Sequence, residues 1–246
     1  MEAGVVKSVG RVFEVLESFA RVRSPQTAIE IGRRLAYPAS STAAILKSMV
    51  ALGYLTFDRE TRSYFPTVRL SLLANWIDAA TLGSTELETL IEEIRTATGE
   101  TVIIAAQNDL SMQYLLTRPG RFPVRFLAPA GMLRPLCGSG TGWALLSSKT
   151  DAEVTALVRR INRSEPPGGM VDPTHLLDLL AEVRRQGYAA SYGTVVADSG
   201  VVAMVLPTLP GKRTLVLGVG GPVERLERNE AMIVGIMQTA IRRHLR

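Results

Sequence analysis

Residues 29–55, IEIGRRLAYPASSTAAILKSMVALGYL, restrict the fold of this chain more than any other stretch. Ile31 and Leu35 lie four apart on one face of a short helix, while Arg33 and Arg34 face elsewhere. Pro38 stops that helix, because a residue ahead of proline is pushed out of helical geometry, and it suits the start of a new one. In the second helix Ile45, Leu46, Met49 and Val50 share one arc, and Ser40, Ser41, Ala44, Lys47 and Ser48 share the opposite one. The outward arc is small, hydroxylated and basic. It suits a helix that enters a DNA major groove: short side chains let its axis approach the base edges, hydroxyls can donate or accept there, and lysine can neutralise phosphate. A solvated surface helix looks the same in isolation, so the neighbouring residues decide. After Gly53 and Tyr54, LTFDRETRSYFP puts strand-forming residues on both sides of a polar turn, with Arg59 and Arg62 near its tip. Helix, helix and hairpin in this order predict a winged helix-turn-helix. Its candidate DNA contacts are Arg11, Ser40, Ser41, Thr42, Lys47, Ser48, Arg59 and Arg62.

Charge agrees with that placement. Residues 1–69 carry ten Lys and Arg against six Asp and Glu, and residues 70–246 carry 18 against 17, so nearly all of the net +5 sits in the segment expected on DNA. With 246 residues and 46% hydrophobic composition the chain can bury one large core or two modest ones. The single cysteine, Cys137, excludes an intrachain disulfide. The amino terminus lacks a signal-peptide core, and Pro207 and Pro210 interrupt the apolar run from Val201, so no membrane partner and a cytoplasmic location are expected.

Val9, Val12, Phe13, Leu16 and Phe19 repeat at helical spacing in a first helix, expected as core beneath the recognition unit and as dimer contact. Residues 68–80 carry the stripe Leu70, Leu73, Ala74 and Ile77, expected as a linker helix. From Thr85 a helix with Leu87, Leu90, Ile91 and Ile94 on one face runs to Gly99 and opens a second domain. TVIIAAQND and MQYLLTR then form a hairpin signal. Residues 142–148, 151–160 and 173–186 read as helices, and residues 189–196, 201–206 and 213–219 as strands, the last two joined at Pro210-Gly211. Residues 224–246 form a final helix with acids early and arginines late. The fold class is α+β, divided at 1–67, 68–84 and 85–246.

An enzyme reading would start at CGSGTGW, residues 137–143. Trp143 follows the glycines where a P-loop needs lysine, and the spacing of Gly138, Gly140 and Gly142 is not the dinucleotide pattern. Ser139 lacks the nucleophile elbow. His175 and His244 are the only histidines, both read as structural or solvated, and Cys137 reads as a small buried apolar group rather than a nucleophile or redox sensor. One cysteine and two distant histidines make a poor metal site. No catalytic residue, metal or cofactor is expected. Exposed backbone N–H groups at a helix start near Gly140–Gly142 would nevertheless suit a carboxylate.

The segments VKSVGRVFEVLESF, EIGRRL, PASSTAAILKSMVALGYL and the wing, followed by PLCGSGTGWALL, RRQGYAAS, GVVAMVLP and LGVGGPVERL, resemble the IclR-type bacterial transcription regulators over nearly the whole chain. The resemblance implies a GAF-like mixed or antiparallel sheet domain that holds an effector on one face. It implies an effector-site floor at Gly140 and Thr141 and a wall at Ser191, Val201, Ala203, Gly218 and Gly220. Here Ser191 stands where several relatives have an acid, Ala203 where they often have cysteine, and Gly218 and Gly220 where serines are common. Ala44 and Ala39 similarly replace basic residues in the recognition helix. The expected function is a dimeric or tetrameric DNA-binding regulator whose affinity for an operator responds to a small molecule, a carboxylate with an apolar body in the enlarged site. The alternative is a small-molecule-binding enzyme or sensor whose amino-terminal helices serve only protein association.

Overall fold

The computed structural model describes residues 6–73, 85–207 and 213–245. The chain divides into two compact units, Met1–Gly83 and Ser84–Arg246.

In the first unit, α1 (Lys7–Val22), α2 (Ala28–Leu35) and α3 (Ala39–Ala51) are followed by the wing strands β2 (Leu55–Asp58) and β3 (Ser63–Pro66). The short strand β1 (Gln26–Thr27) pairs with β3, giving a sheet in the order β1-β3-β2. Thr27 starts α2 through a capping box: its hydroxyl accepts from the Glu30 N–H at 3.3 Å, and the Glu30 carboxylate accepts from the Thr27 N–H at 2.7 Å. The helix ends at Ala36, which turns into the left-handed region at φ 54°, two residues before the proline expected to stop it. Pro38 then caps α3.

Val15, Phe19, Ile31, Leu46, Met49, Leu55 and Tyr64 form the core of this unit, with Val12, Leu16, Leu35, Ile45 and Val50 packed against it. The predicted stripe on α1 is thereby divided. Val9 and Phe13, read as core, are 50% and 60% exposed, because α1 meets the core along Val12, Val15 and Phe19. Arg34, although exposed, donates to the Ser18 hydroxyl at 3.1 Å and to the Gln26 side-chain oxygen, tying α2 to α1 and β1. At the wing tip the Asp58 carboxylate accepts from the Glu60 and Thr61 N–H groups, and Arg62 adopts φ 51°. Those backbone bonds, Thr61 first, hold the Asp58 carboxyl below its ordinary pKa. Residues 68–73 are helical; the rest of the expected linker helix, with Ala74 and Ile77, lies outside the described residues, as does the Pro210-Gly211 turn.

The second unit contains α4 (Thr85–Thr98), β4 (Thr101–Asn108), β5 (Ser111–Arg118), β6 (Leu133–Pro135), α5 (Gly140–Ser147), α6 (Asp151–Asn162), α7 (Pro173–Gln186), β7 (Ala189–Tyr192), β8 (Ser199–Val205), β9 (Val216–Pro222) and α8 (Val223–His244). Its six strands lie in the order β6-β5-β4-β9-β8-β7, and every pairing is antiparallel. Helices α5, α6 and α7 share a core with Ile103, Ala105, Met112 and Tyr114 on one face of this sheet. Helices α4 and α8 pack on each other and against the sheet. The architecture is α+β, a winged helix-turn-helix followed by an antiparallel sheet flanked by helices.

Several boundaries move. Strand β7 ends at Tyr192 rather than residue 196, where Gly193 turns the chain at φ 66°. Strand β9 lies three residues later than expected, α5 begins at Gly140 rather than 142, and the three-residue β6 has too few residues to show an alternation.

Candidate functional site

On the first unit the outward arc of α3 has the predicted character, with Ser40, Ala44, Lys47 and Ser48 exposed and Ser41 half-buried. Ser48 turns its hydroxyl back to the Ala44 carbonyl at 2.9 Å. Thr42 must be removed from the DNA contacts. It is 0% exposed, its hydroxyl donates to the Pro38 carbonyl at 3.1 Å, and it packs on Gly32, where a Cβ would lie 3.2 Å from the threonine oxygen. The close approach of α2 and α3 at that glycine buries it. Arg11 is half-buried, with its guanidinium 4.7 Å from the centre of the Tyr37 ring, and the Tyr37 hydroxyl donates to Glu14. It braces the turn between α2 and α3 as well as carrying charge there. Arg59 and Arg62 are exposed at the wing tip.

On the second unit a narrow cleft, with about 20 Å³ of free space inside it, is lined by residues from the start of α5, the β7–β8 loop and the sheet edge. Gly140, Ser191 and Val201 line it as expected. Thr141, Ala203, Gly218 and Gly220 do not line it and lie buried beneath. The glycines leave no empty volume. A Cβ on Gly218 would lie 3.3 Å from Val201 Cγ1 and 3.4 Å from Thr141 Cγ2, and one on Gly220 would lie 2.9 Å from the Phe126 ring. Phe126, brought in by the segment between β5 and β6, occupies the space that small residues were expected to open.

The helix start is partly filled as well. Ser139 accepts from the Gly142 N–H at 3.2 Å and donates to the Pro135 carbonyl, while the Ser191 hydroxyl accepts from the Gly140 N–H at 3.2 Å. Of the amides over Gly140–Gly142 expected to receive a carboxylate, those of Gly140 and Gly142 already have acceptors. A Cβ on Gly142 would stand 1.9 Å from the Leu136 carbonyl oxygen, so only glycine lets α5 lie this close to the segment before it. Residues not anticipated from sequence complete the cleft: Tyr114, Phe126 and Arg134. Burial raises the pKa of Tyr114, and the Arg134 guanidinium and Thr141 hydroxyl pull it back. Cys137 is buried and its thiol is pushed up to about 11 by desolvation, which favours the protonated form near neutrality. His175 is exposed, and His244 bonds Glu93 at 2.7 Å in the last turn of α8.

A winged helix-turn-helix with a basic outer helix, followed by a sheet unit with its own small cleft, is the build of a bacterial transcription regulator. The IclR helix-turn-helix domain family matches residues 8–59, and the family described as bacterial transcriptional regulator IclR C-terminal matches residues 84–243. The chain belongs to the IclR family of DNA-binding transcription regulators. It is 24% identical to the acetate operon repressor of Salmonella typhimurium over 249 residues, covering 95% of this chain and 86% of the repressor. It is 23% identical to the transcriptional regulator KdgR of Escherichia coli, covering 97% and 91%. Among solved structures, an IclR homolog from Microbacterium hydrocarbonoxydans complexed with 4-hydroxybenzoate matches with TM-score 0.60 and 26% identity over 96% of this chain and 99% of that one. Thermotoga maritima IclR matches in fold with TM-score 0.71 at 16% identity, covering 96% and 98%. No helix among the described residues is long and apolar enough to cross a membrane.

Proposed function

We propose that this regulator works in the cytoplasm as a homodimer or dimer of dimers, and that a small carboxylate with an apolar body, bound in the cleft of the second unit, controls its hold on an operator. Residues 1–67 form the DNA-binding domain, 68–84 the linker helix and 85–246 the effector domain. Ser40, Ser41, Lys47 and Ser48 face the major groove, Arg59 and Arg62 approach the backbone or minor groove from the wing, and Arg11 contributes charge beside the helix turn. Gly140, Ser191 and Val201 face the effector, while Thr141, Ala203, Gly218 and Gly220 shape the cleft from behind. The exposed apolar residues Val9 and Phe13 on α1 and Leu72 and Leu73 after the wing supply surface for pairing.

The carrying observation is the cleft itself, a concave site with aromatic and aliphatic walls and a few polar groups, set in a unit separate from the DNA-binding face. The 4-hydroxybenzoate complex of the Microbacterium homolog supports an acid of this kind. The test is retardation of DNA from upstream of the protein's own gene, with competitor DNA present and with aromatic and aliphatic acids added. Competitor-resistant retardation altered by an acid is the expected result, with two or more chains per site by sedimentation.

A further inference from the structure

Arg134 sits on β6 opposite Met112 of β5. Residues opposite one another share a face of the sheet, so Arg134 projects to the side where Met112 and Tyr114 are buried among α5 to α7. At the edge strand it leans along the cleft instead of entering the core, with its guanidinium carbon 5.8 Å from the centre of the Tyr114 ring. It is half-buried and forms no ion pair among the described residues. A partly desolvated cation without a counter-ion, beside an otherwise uncharged cleft, is the chemical complement of an anion. The amides of Gly140 and Gly142 at the neighbouring helix start are occupied by Ser191 and Ser139.

We propose that Arg134 receives the effector's carboxylate and selects for a single negative charge carried on one flat ring. This rests on the reading of the cleft as the effector site. The guanidinium offers parallel N–H groups that match a carboxylate in two-point contact, and Tyr114 restrains the side chain before the ligand arrives. The walls made by Phe126, Tyr114 and Val201 are aromatic and aliphatic, which suits a flat apolar ring, and the free space of about 20 Å³ between them means that the walls must part to admit one. Thr194 and Ser199 also line the cleft, and their hydroxyls suit a hydroxyl substituent on that ring. Every other side chain lining the cleft is uncharged, so a second carboxylate would go unpaired there.

The test is calorimetric titration of the full-length protein with benzoate, 4-hydroxybenzoate and the neutral analogue benzamide, for wild type, Arg134→Met and Arg134→Lys, with thermal melting as a check on folding. Wild type should bind both acids at least tenfold more tightly than benzamide. Arg134→Met should lose tenfold or more for the acids, bind benzamide unchanged and melt no lower than wild type. Arg134→Lys should recover part of the acid affinity, since it keeps the charge without the fork. Acid binding that is equal in wild type and Arg134→Met overturns the role of Arg134 alone, as does benzamide binding as tight as benzoate. Failure of the wild type to bind either acid overturns both this role and the carboxylate reading of the cleft.

Discussion

Helices α3 and α5 both begin in runs of small residues, one on each unit, but their first turns are used differently. Pro38 at the start of α3 has no side-chain acceptor to offer, whereas Ser139 and Ser191 fill two amides at the start of α5. A helix start attracts anions through free N–H groups and the dipole they end. No side chain caps the first turn of α3, while α5 has given two of its amides to internal hydroxyls in exchange for close packing. The glycine-rich sequence of α5 therefore marks a steric need, and the charge recognition in that unit passes to Arg134.

The strongest way to break this contrast is Gly142→Ala. With a Cβ only 1.9 Å from the Leu136 carbonyl oxygen, the variant has to push α5 off its neighbour, and the second unit should lose about 3 kcal/mol or more in urea unfolding. Little change would show that α5 is not packed as described. Next in size, Ser139→Ala removes the acceptor for the Gly142 amide and should lower stability by about 1 kcal/mol. Effector binding should be unchanged if that helix start is not the anion site; tighter acid binding once the Gly142 N–H is freed would restore it to that role.

Lys47→Ala probes the other helix. Removing an exposed point charge should weaken binding to all duplexes alike and reduce the slope of log affinity against log salt by about one unit, whereas Thr42→Val should leave sequence preference unchanged because its hydroxyl is internal. An altered base preference in Thr42→Val would refute its burial. The smallest effect separates the units by pH. Glu230 accepts from the Tyr188 and Tyr192 hydroxyls. The Glu230 bond, with burial second, pushes Tyr188 up to about 12, while burial followed by the Glu230 bond raises Tyr192. Raised values favour the protonated folded form: the stabilisation is full below pH 10, where unfolded tyrosine begins to ionise, and is lost as pH rises through the folded values. Urea midpoints measured from pH 9 to 12 should fall for the second unit, and Tyr188→Phe should flatten the decline.

The helices of the first unit were legible because the period of apolar residues directly states which face is buried, as Leu46 and Met49 illustrate. Thr42 escaped that reading, since its burial depends on how closely α2 approaches at Gly32, a tertiary fact that no single helix encodes. The second unit shows the same division more sharply. The limits of α7, from Pro173 to the turn at Gly187, are written in local residues. Gly218 and Gly220 leave no extra room because Val201 and Thr141 lie against the first and Phe126 returns from a distant segment to cover the second, so Gly218→Leu should disrupt packing. Arg134 was invisible for a related reason: a three-residue edge strand has no pattern, and only its pairing with β5 reveals which face it takes.

The pairing of β4 with β9 joins residues 101–105 to residues 216–220 at the middle of the six-stranded sheet. During synthesis the amino-terminal winged helix can complete its mostly local contacts long before β9 has been made, but the sheet has no centre until that late strand emerges. A ribosome stalled between the two would therefore display a folded DNA-binding head attached to half a sheet, with the exposed edge of β4 waiting for its neighbour.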